Sequence, residues 1–112
     1  MNKGEIYKVE LPPPPGGEGH EQTGFRPVIV ISCSHPSMVT VVPITSQSKA
    51  QRYPFVFEIQ PTHNNGLNTL SYALVFQITT FDKTRFKNRL GRLEGNYLEI
   101  LNTQLIKYLE LP

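Results

Sequence analysis

Prolines, glycines and asparagines divide most of this chain into short segments, and this spacing limits the folds available to it. The segments between these breakers are rich in β-branched and aromatic residues, which is typical of strands. Strands are predicted over residues 5–11, 27–33, 39–44, 54–59, 71–80 and 86–93. Short strands separated by turn signals in this way indicate a small barrel or sandwich.

The hydrophobic period changes near the C-terminus. Apolar residues there recur at intervals of three and four, which predicts one amphipathic helix over residues 96–110. Glu94 or Asn96 is the expected N-cap and Pro112 the expected stop. We expect this helix to pack on the strands, and its position also allows it to contribute to a dimer. The repeating residues are Leu98, Leu101, Leu105 and Leu109.

The length of 112 residues fits one domain over residues 1–112. No apolar run approaches the ~20 residues of a membrane span, and the N-terminus does not resemble a signal peptide. A single cysteine, Cys33, cannot form an internal disulfide, so we expect a cytoplasmic protein. The histidines and Cys33 lack metal-ligand spacing, so no metal and no cofactor are expected.

A long loop over residues 12–24 precedes the most apolar strand. It begins with four prolines and two glycines, and loops of this length are usually functional or disordered. His20 and Glu21 lie in it, and Arg26 opens the strand that follows. Acid–base groups beside an arginine suit chemistry at a phosphodiester. The alternative is a surface arginine paired with a loop glutamate.

Two further positions allow both a functional and a structural interpretation. Thr45 ends the strand over residues 39–44, where such hydroxyls more commonly bond their own backbone. Tyr53 and Phe55 are able to stack on bases, although aromatic residues at strand positions more often belong to the core.

Positive charge is concentrated near the end of the predicted strands, although the net charge is only +2. Such a cluster indicates either a basic face for nucleic acid or a solvated strand face. The residues are Lys83, Arg85, Lys87, Arg89 and Arg92.

An ordered series of motifs resembles the MazF/PemK-type toxins of bacterial type II toxin–antitoxin systems nearly end to end. The motifs are Gly-Glu-Ile-Tyr at 4–7, Gly-His-Glu-Gln-Thr-Gly-Phe-Arg-Pro-Val at 19–28, Pro-Ile-Thr-Ser-Gln at 43–47, Tyr-Pro-Phe at 53–55, Asn-Gly-Leu at 65–67, Gln-Ile at 77–78, Thr-Phe-Asp-Lys at 80–83 and Leu-Gly-Arg-Leu at 90–93.

The resemblance implies a mainly β fold with a C-terminal helix, an SH3-like small barrel of the PemK/CcdB toxin type, usually as a homodimer. It implies a sequence-selective endoribonuclease that cleaves single-stranded RNA without metal. The 2′-OH attacks the adjacent phosphate and leaves a 2′,3′-cyclic phosphate and a 5′-OH. A cognate antitoxin blocks the site with an acidic tail, and operator DNA is bound only through that antitoxin.

The resemblance also assigns roles to residues. Arg26 and Thr45 match the catalytic pair, Glu21 matches a loop glutamate implicated in activity, and His20 matches a histidine of the Kid branch. Either Glu21 or His20 is expected to be the general base. The expected RNA-binding residues are Ser46, Gln47, Gln77, Lys49 and Arg85.

The chain departs from the family pattern on one strand. Leu74 and Phe76 stand where the Kid branch has an Arg and an Asp, and Thr79 where the family often has an Arg. Two alternatives stay open because a fold does not fix a function: a gyrase-inhibiting toxin on the same fold, or an inactive homologue that only binds antitoxin or RNA. The chain's ending does not resemble the Trp-bearing terminus of the gyrase class, and retention of Arg26 and Thr45 opposes the inactive alternative.

Overall fold

A computed structural model describes residues 1–11 and 24–112. Its fold is a mainly antiparallel β structure with one C-terminal helix, as predicted. In the described ranges, no helix is long and apolar enough to cross a membrane. The elements are β1 (Glu5–Glu10), β2 (Phe25–Ser32), β3 (Met38–Thr45), β4 (Val56–Ile59), β5 (Ser71–Leu74), β6 (Thr79–Asp82), β7 (Phe86–Arg92) and α1 (Gly95–Tyr108).

The strands follow the order β4-β5-β3-β2-β1-β7, and β6 pairs with β3 beside this path. The two central strands, β2 and β3, therefore have neighbours along both edges. Val28, Ile29 and Val30 of β2 are all buried. Ile29 packs in a core cluster with residues of α1, whereas Val28 and Val30 belong to a second cluster. This burial on both faces explains the continuous apolar run in the sequence.

The predicted single strand over residues 71–80 is wrong, because two strands separated by a 3₁₀ turn occupy this stretch. β5 and β6 both pair with β3, and Val75–Gln77 forms the turn between them. The backbone carbonyl of Phe55 accepts hydrogen bonds from the N–H groups of Val75 and Phe76, at 3.0 and 3.4 Å. These donors therefore bond outside the ladder with β3, and the strand is interrupted. A second unpredicted 3₁₀ helix, Ser48–Arg52, follows β3.

Helix α1 packs through Leu101 and Leu105, while Leu109 is 45% exposed. It ends before Pro112, contrary to the predicted stop. The N–H of Leu111 donates to the Ile106 carbonyl, and the N–H of Glu110, at φ 55°, donates to the Lys107 carbonyl. These bonds form a Schellman motif, which satisfies the last carbonyls of the helix before the proline is reached.

The closing loop, residues 60–70, connects β4 to β5 and contacts β7. The N–H of Arg92 donates to the Asn64 carbonyl at 2.8 Å. Gly66 has φ +72°, and a Cβ there would overlap the Leu90 carbonyl. Only glycine fits this approach without strain, so the loop is held against β7.

The side chain of Asn65 is the centre of the closing loop and is fully buried. Its Oδ1 accepts hydrogen bonds from the N–H groups of Thr62 and Leu67 at 3.0 and 3.1 Å. Its Nδ2 donates to the Gln60 carbonyl at 2.9 Å and to Glu94 Oε1 at 3.2 Å. Glu94 is the N-cap residue of α1, but its carboxylate binds this loop and Thr62 instead of capping the helix.

Candidate active site

Arg26 and Thr45 lie at neighbouring ends of the two central strands. The last pair between β2 and β3 at this end joins Val28 to Pro43. Continuing this register by two residues puts Arg26 opposite Thr45, and both residues line the same two cavities. Strand pairing therefore positions the two groups together, although they are far apart in the sequence.

The hydroxyl of Thr45 makes a local contact. Its Oγ1 accepts a hydrogen bond from the backbone N–H of Gln47 at 3.2 Å. This is the backbone bond that the structural interpretation predicts for a strand-end threonine. It engages a lone pair and leaves the O–H proton to donate. The local bond therefore orients the hydroxyl without removing its use toward a ligand.

The guanidinium of Arg26 is partly buried. Desolvation lowers the pKa of Arg26 from its ordinary value, but an arginine remains protonated at neutral pH. A charge in a partly desolvated site acts more strongly on an anion than the same charge in bulk water.

The cleft is formed by two adjoining cavities of about 650 and 460 Å³. Arg26, Thr45 and Gln47 line both cavities and so mark their junction. Lys8 lines the larger cavity and Lys49 the smaller one. Within the described part of the chain, every charged residue that lines the cleft is cationic, so the cleft suits an anionic ligand.

Most of the described residues predicted to bind RNA reach this cleft. Ser46 and Gln47 line the larger cavity, and Gln77 and Lys49 line the smaller one. Arg85 lines neither cavity; its Nη1 lies 3.4 Å from the Glu10 carbonyl, to which it donates.

His20 and Glu21 lie outside the described residues, as does nearly all of the predicted loop over residues 12–24. Over residues 1–11 and 24–112, no group of three or more His, Cys, Asp or Glu side chains could hold a metal ion.

The basic segment over residues 83–92, which includes β7, contributes none of its charged side chains to the lining of the cleft. Arg89 forms an ion pair with Glu5, at 2.8 Å between Nε and Oε2. Lys83 Nζ donates to the Pro36 carbonyl at 3.4 Å. Leu90, an apolar residue of the same segment, lines the larger cavity.

Sequence reasoning missed several cleft residues. Lys8 belongs to alternating strand β1, and Asn68 and Thr69 belong to the closing loop. The Asn-Gly turn signal at residues 65–66 marks that loop, but nothing in its composition indicates that it returns to Arg26. Leu74 and Phe76, the departures from the family pattern, line the smaller cavity and give it an apolar wall.

Comparison with known proteins adds an independent finding. Residues 2–109 match the family described as PemK-like, MazF-like toxin of type II toxin-antitoxin system. The chain is 32% identical to the endoribonuclease MazF9 of Mycobacterium tuberculosis, covering 99% of this chain and 98% of that protein. It is 30% identical to the endoribonuclease MazF of Staphylococcus saprophyticus, covering 94% and 88%.

Solved structures show the same fold. One is an endoribonuclease in complex with its cognate antitoxin from a mycobacterial species, with a TM-score of 0.73, 23% identity and coverage of 98% and 95%. Another is MazF from Deinococcus radiodurans, with a TM-score of 0.73, 24% identity and coverage of 99% and 97%.

Proposed function

This chain belongs to the PemK-like, MazF-like toxins of type II toxin-antitoxin systems and is an endoribonuclease, and from that premise we propose that it cleaves single-stranded RNA in the cleft around Arg26 and Thr45. The observation that supports this site is the junction of the two cavities that form the cleft. A partly desolvated arginine and an oriented hydroxyl meet there, and the charged groups described around them are all cationic. A phosphodiester is the part of RNA that matches such a junction.

The proposed reaction begins with attack of a ribose 2′-OH on the adjacent phosphorus. The bond from the 2′-oxygen to phosphorus forms, the bond to the 5′-oxygen breaks, and the products carry a 2′,3′-cyclic phosphate and a 5′-OH. Arg26 stabilises the charge that accumulates on the phosphoryl oxygens. The hydroxyl of Thr45 donates a hydrogen bond to the same phosphate and fixes the orientation of that phosphate. With the guanidinium meeting this charge, the proposed reaction uses no metal ion.

A general base must take the proton of the 2′-OH. Glu21 and His20 are the two candidates, and the chemistry of either group suits the task. The leaving 5′-oxygen takes a proton from water, and the protonated base returns its proton to the solvent, so the protons balance. Substituting each candidate by glutamine and comparing the pH dependence of cleavage distinguishes them, because the two bases have ordinary pKa values about two units apart.

The test incubates purified protein with a long RNA in EDTA and maps the cut ends. We expect cleavage with cyclic phosphate ends; loss of activity that magnesium or zinc restores would contradict the mechanism. Arg26→Ala should fold normally and lose at least about 100-fold in rate, as expected for a main charge stabiliser. Thr45→Val keeps the volume and should lose less. Thr103→Val, an exposed substitution on α1, is the matched control and should retain full activity.

Two other functions are less well supported. The named relatives are endoribonucleases, which favours RNA cleavage over the gyrase-inhibiting alternative. An inactive homologue would not need Arg26 and Thr45 placed together. If a correctly folded Arg26→Ala variant cleaves RNA at the wild-type rate, the cleft around Arg26 is not the active site.

The partners complete the proposal. We propose a cognate antitoxin whose acidic tail enters the cationic cleft, by analogy with the related endoribonuclease solved with its antitoxin. Competition between antitoxin and RNA for the cleft tests this.

We also propose a cytoplasmic homodimer that reaches operator DNA only through the antitoxin. Light scattering should then give twice the 12.7 kDa chain mass, and the protein alone should not shift operator DNA.

A further inference from the structure

Tyr53 is one of two aromatic residues, with Phe25, that are more than half exposed and line a cavity beside Arg26 and Thr45. Its side chain is 55% exposed and lines the smaller cavity together with Arg26 and Thr45. A buried position would make this ring part of the core, as the structural interpretation of the sequence expects. An exposed aromatic ring on the wall of a cleft whose described charged residues are cationic offers a face on which a nucleic-acid base can stack.

A second aromatic ring supports Tyr53 from the wall of the same cavity. The ring centroids of Tyr53 and Phe76 are 5.6 Å apart, with the planes inclined by 40°. Such tilted pairs lie within the favourable range for aromatic contacts. Phe76 therefore restricts the orientation of the Tyr53 ring while leaving much of it accessible.

The backbone around these rings fixes both of them. The N–H of Tyr53 donates to the carbonyl of buried Ala50 at 3.1 Å, which anchors Tyr53 to the 3₁₀ helix Ser48–Arg52. Phe55 has φ 60°, a left-handed conformation that is costly for a residue other than glycine. In this conformation its carbonyl holds the turn that carries Phe76.

Building on the proposed function, we propose that Tyr53, supported by Phe76, is a stacking platform for one base of the RNA. That base belongs to the nucleotide beside the scissile phosphate, on the side of the smaller cavity. Lys49, which lines this cavity, neutralises the phosphate of that nucleotide, and Gln77 offers an amide donor and acceptor to the edge of the base. The substrate is therefore RNA whose bases are unstacked at the cut, since a duplex would keep the base paired.

The larger cavity provides a matched comparison. Phe25 is also 55% exposed, and it lines the larger cavity but not the smaller one. The proposal assigns only Tyr53 to the nucleotide on the smaller-cavity side. Removing the two rings should therefore alter recognition at different positions of the RNA.

The experiment uses a short RNA that contains a mapped cut site, with a 2′-deoxy sugar at the attacking nucleotide so that it binds without cleavage. Each position flanking the cut is replaced in turn by an abasic nucleotide, and affinities are measured by fluorescence anisotropy. The proteins are wild type, Tyr53→Ala, Tyr53→Phe and Phe25→Ala. Circular dichroism confirms the fold of each variant.

For wild type, we expect one flanking position at which loss of the base weakens binding roughly 5- to 150-fold, the range found for base–aromatic stacking. Tyr53→Ala should bind the intact RNA more weakly by a similar factor and become insensitive to the base at that position. Tyr53→Phe and Phe25→Ala should retain the sensitivity there. If Tyr53→Ala shows the same dependence of affinity on the abasic position as wild type, the proposed stacking platform is refuted.

A second measurement uses only the wild-type protein and therefore tests the proposal even if Tyr53→Ala does not fold. Wild type is mixed with RNAs carrying 2-aminopurine at each flanking position, and quenching on binding at the sensitive position supports stacking. Unchanged fluorescence at all flanking positions overturns it. Cleavage by wild type separates the two proposals: absence of RNA cleavage refutes the proposed function, whereas normal cleavage with no base sensitivity refutes only the platform.

Discussion

Replacing Asn65 by alanine tests whether one buried amide holds the closing loop. The substitution removes the two hydrogen bonds that Oδ1 accepts from Thr62 and Leu67. It also removes the two that Nδ2 donates to Gln60 and Glu94. All four partners lose a bond through a change at a single fully buried residue.

The expected cost follows from these four bonds. A typical hydrogen bond contributes about 1 kcal/mol net, and a buried group left unpaired costs about 1–3 kcal/mol. Gln60, Thr62 and Glu94 are near solvent and regain bonds to water, but Leu67 is buried and its N–H does not. With about 1 kcal/mol for each of the three bonds regained by water and about 1–3 kcal/mol for the Leu67 N–H, we expect Asn65→Ala to lower the free energy of unfolding by about 4–6 kcal/mol. This is a large part of the ~5–15 kcal/mol of a typical domain.

Urea denaturation followed by circular dichroism measures this change. The control is Asn64→Ala, because Asn64 is an exposed neighbour whose carbonyl, the acceptor for Arg92, survives the substitution. A surface change of this kind should stay within about 0.5 kcal/mol of wild type. If Asn65→Ala lies within about 1 kcal/mol of Asn64→Ala, the reasoning that this amide organises the loop is refuted.

Two further predictions concern β7 and its neighbours. Gly66→Ala should lower the free energy of unfolding by about 2 kcal/mol or more, since φ is +72° and the new Cβ would meet the Leu90 carbonyl; an unchanged urea midpoint would contradict this. The N–H of Asn2 and then the guanidinium of Arg89 hold the pKa of Glu5 below its ordinary value of 4.5. This stabilisation is present above pH 4.5 and is lost as the pH falls through the lower folded pKa. Glu5→Gln should therefore be less stable than wild type at pH 7, and the difference should shrink toward pH 3; a constant difference would show that the charge is not its source.

The sequence predicts the central strands well and their interruptions poorly. The run over residues 28–31 is recognisable because burial on both faces requires continuous apolar side chains. The break after Leu74 is not, because it depends on the carbonyl of Phe55, which belongs to a distant segment. The predicted helix agrees with the observed one within two residues at each end, but the helix is stopped by the backbone hydrogen bonds of Glu110 and Leu111 rather than by Pro112.

In the candidate site, too, the sequence indicates which residues matter but not how distant segments bring them together. Local motifs and a family resemblance point to Arg26 and Thr45, but the placement of these residues opposite each other depends on the register of β2 and β3, which composition does not encode. Arg85 is predicted to bind RNA because of its charge, but it lines neither cavity of the cleft. The sequence allows Tyr53 either to stack on a base or to belong to the core, and only the three-dimensional structure shows that its ring is exposed.

The position of Arg26 and Thr45 at the ends of the two central strands has an evolutionary consequence. These strands carry paired neighbours and buried side chains, so substitutions that displace them are expected to cost the whole fold. Exposed cleft residues outside these strands, such as Gln47, Asn68 and Thr69, bear less of that cost. If Arg26 and Thr45 bind the phosphate as proposed, descendants of such a protein can diverge in the RNA sequences they select while this pair is inherited unchanged.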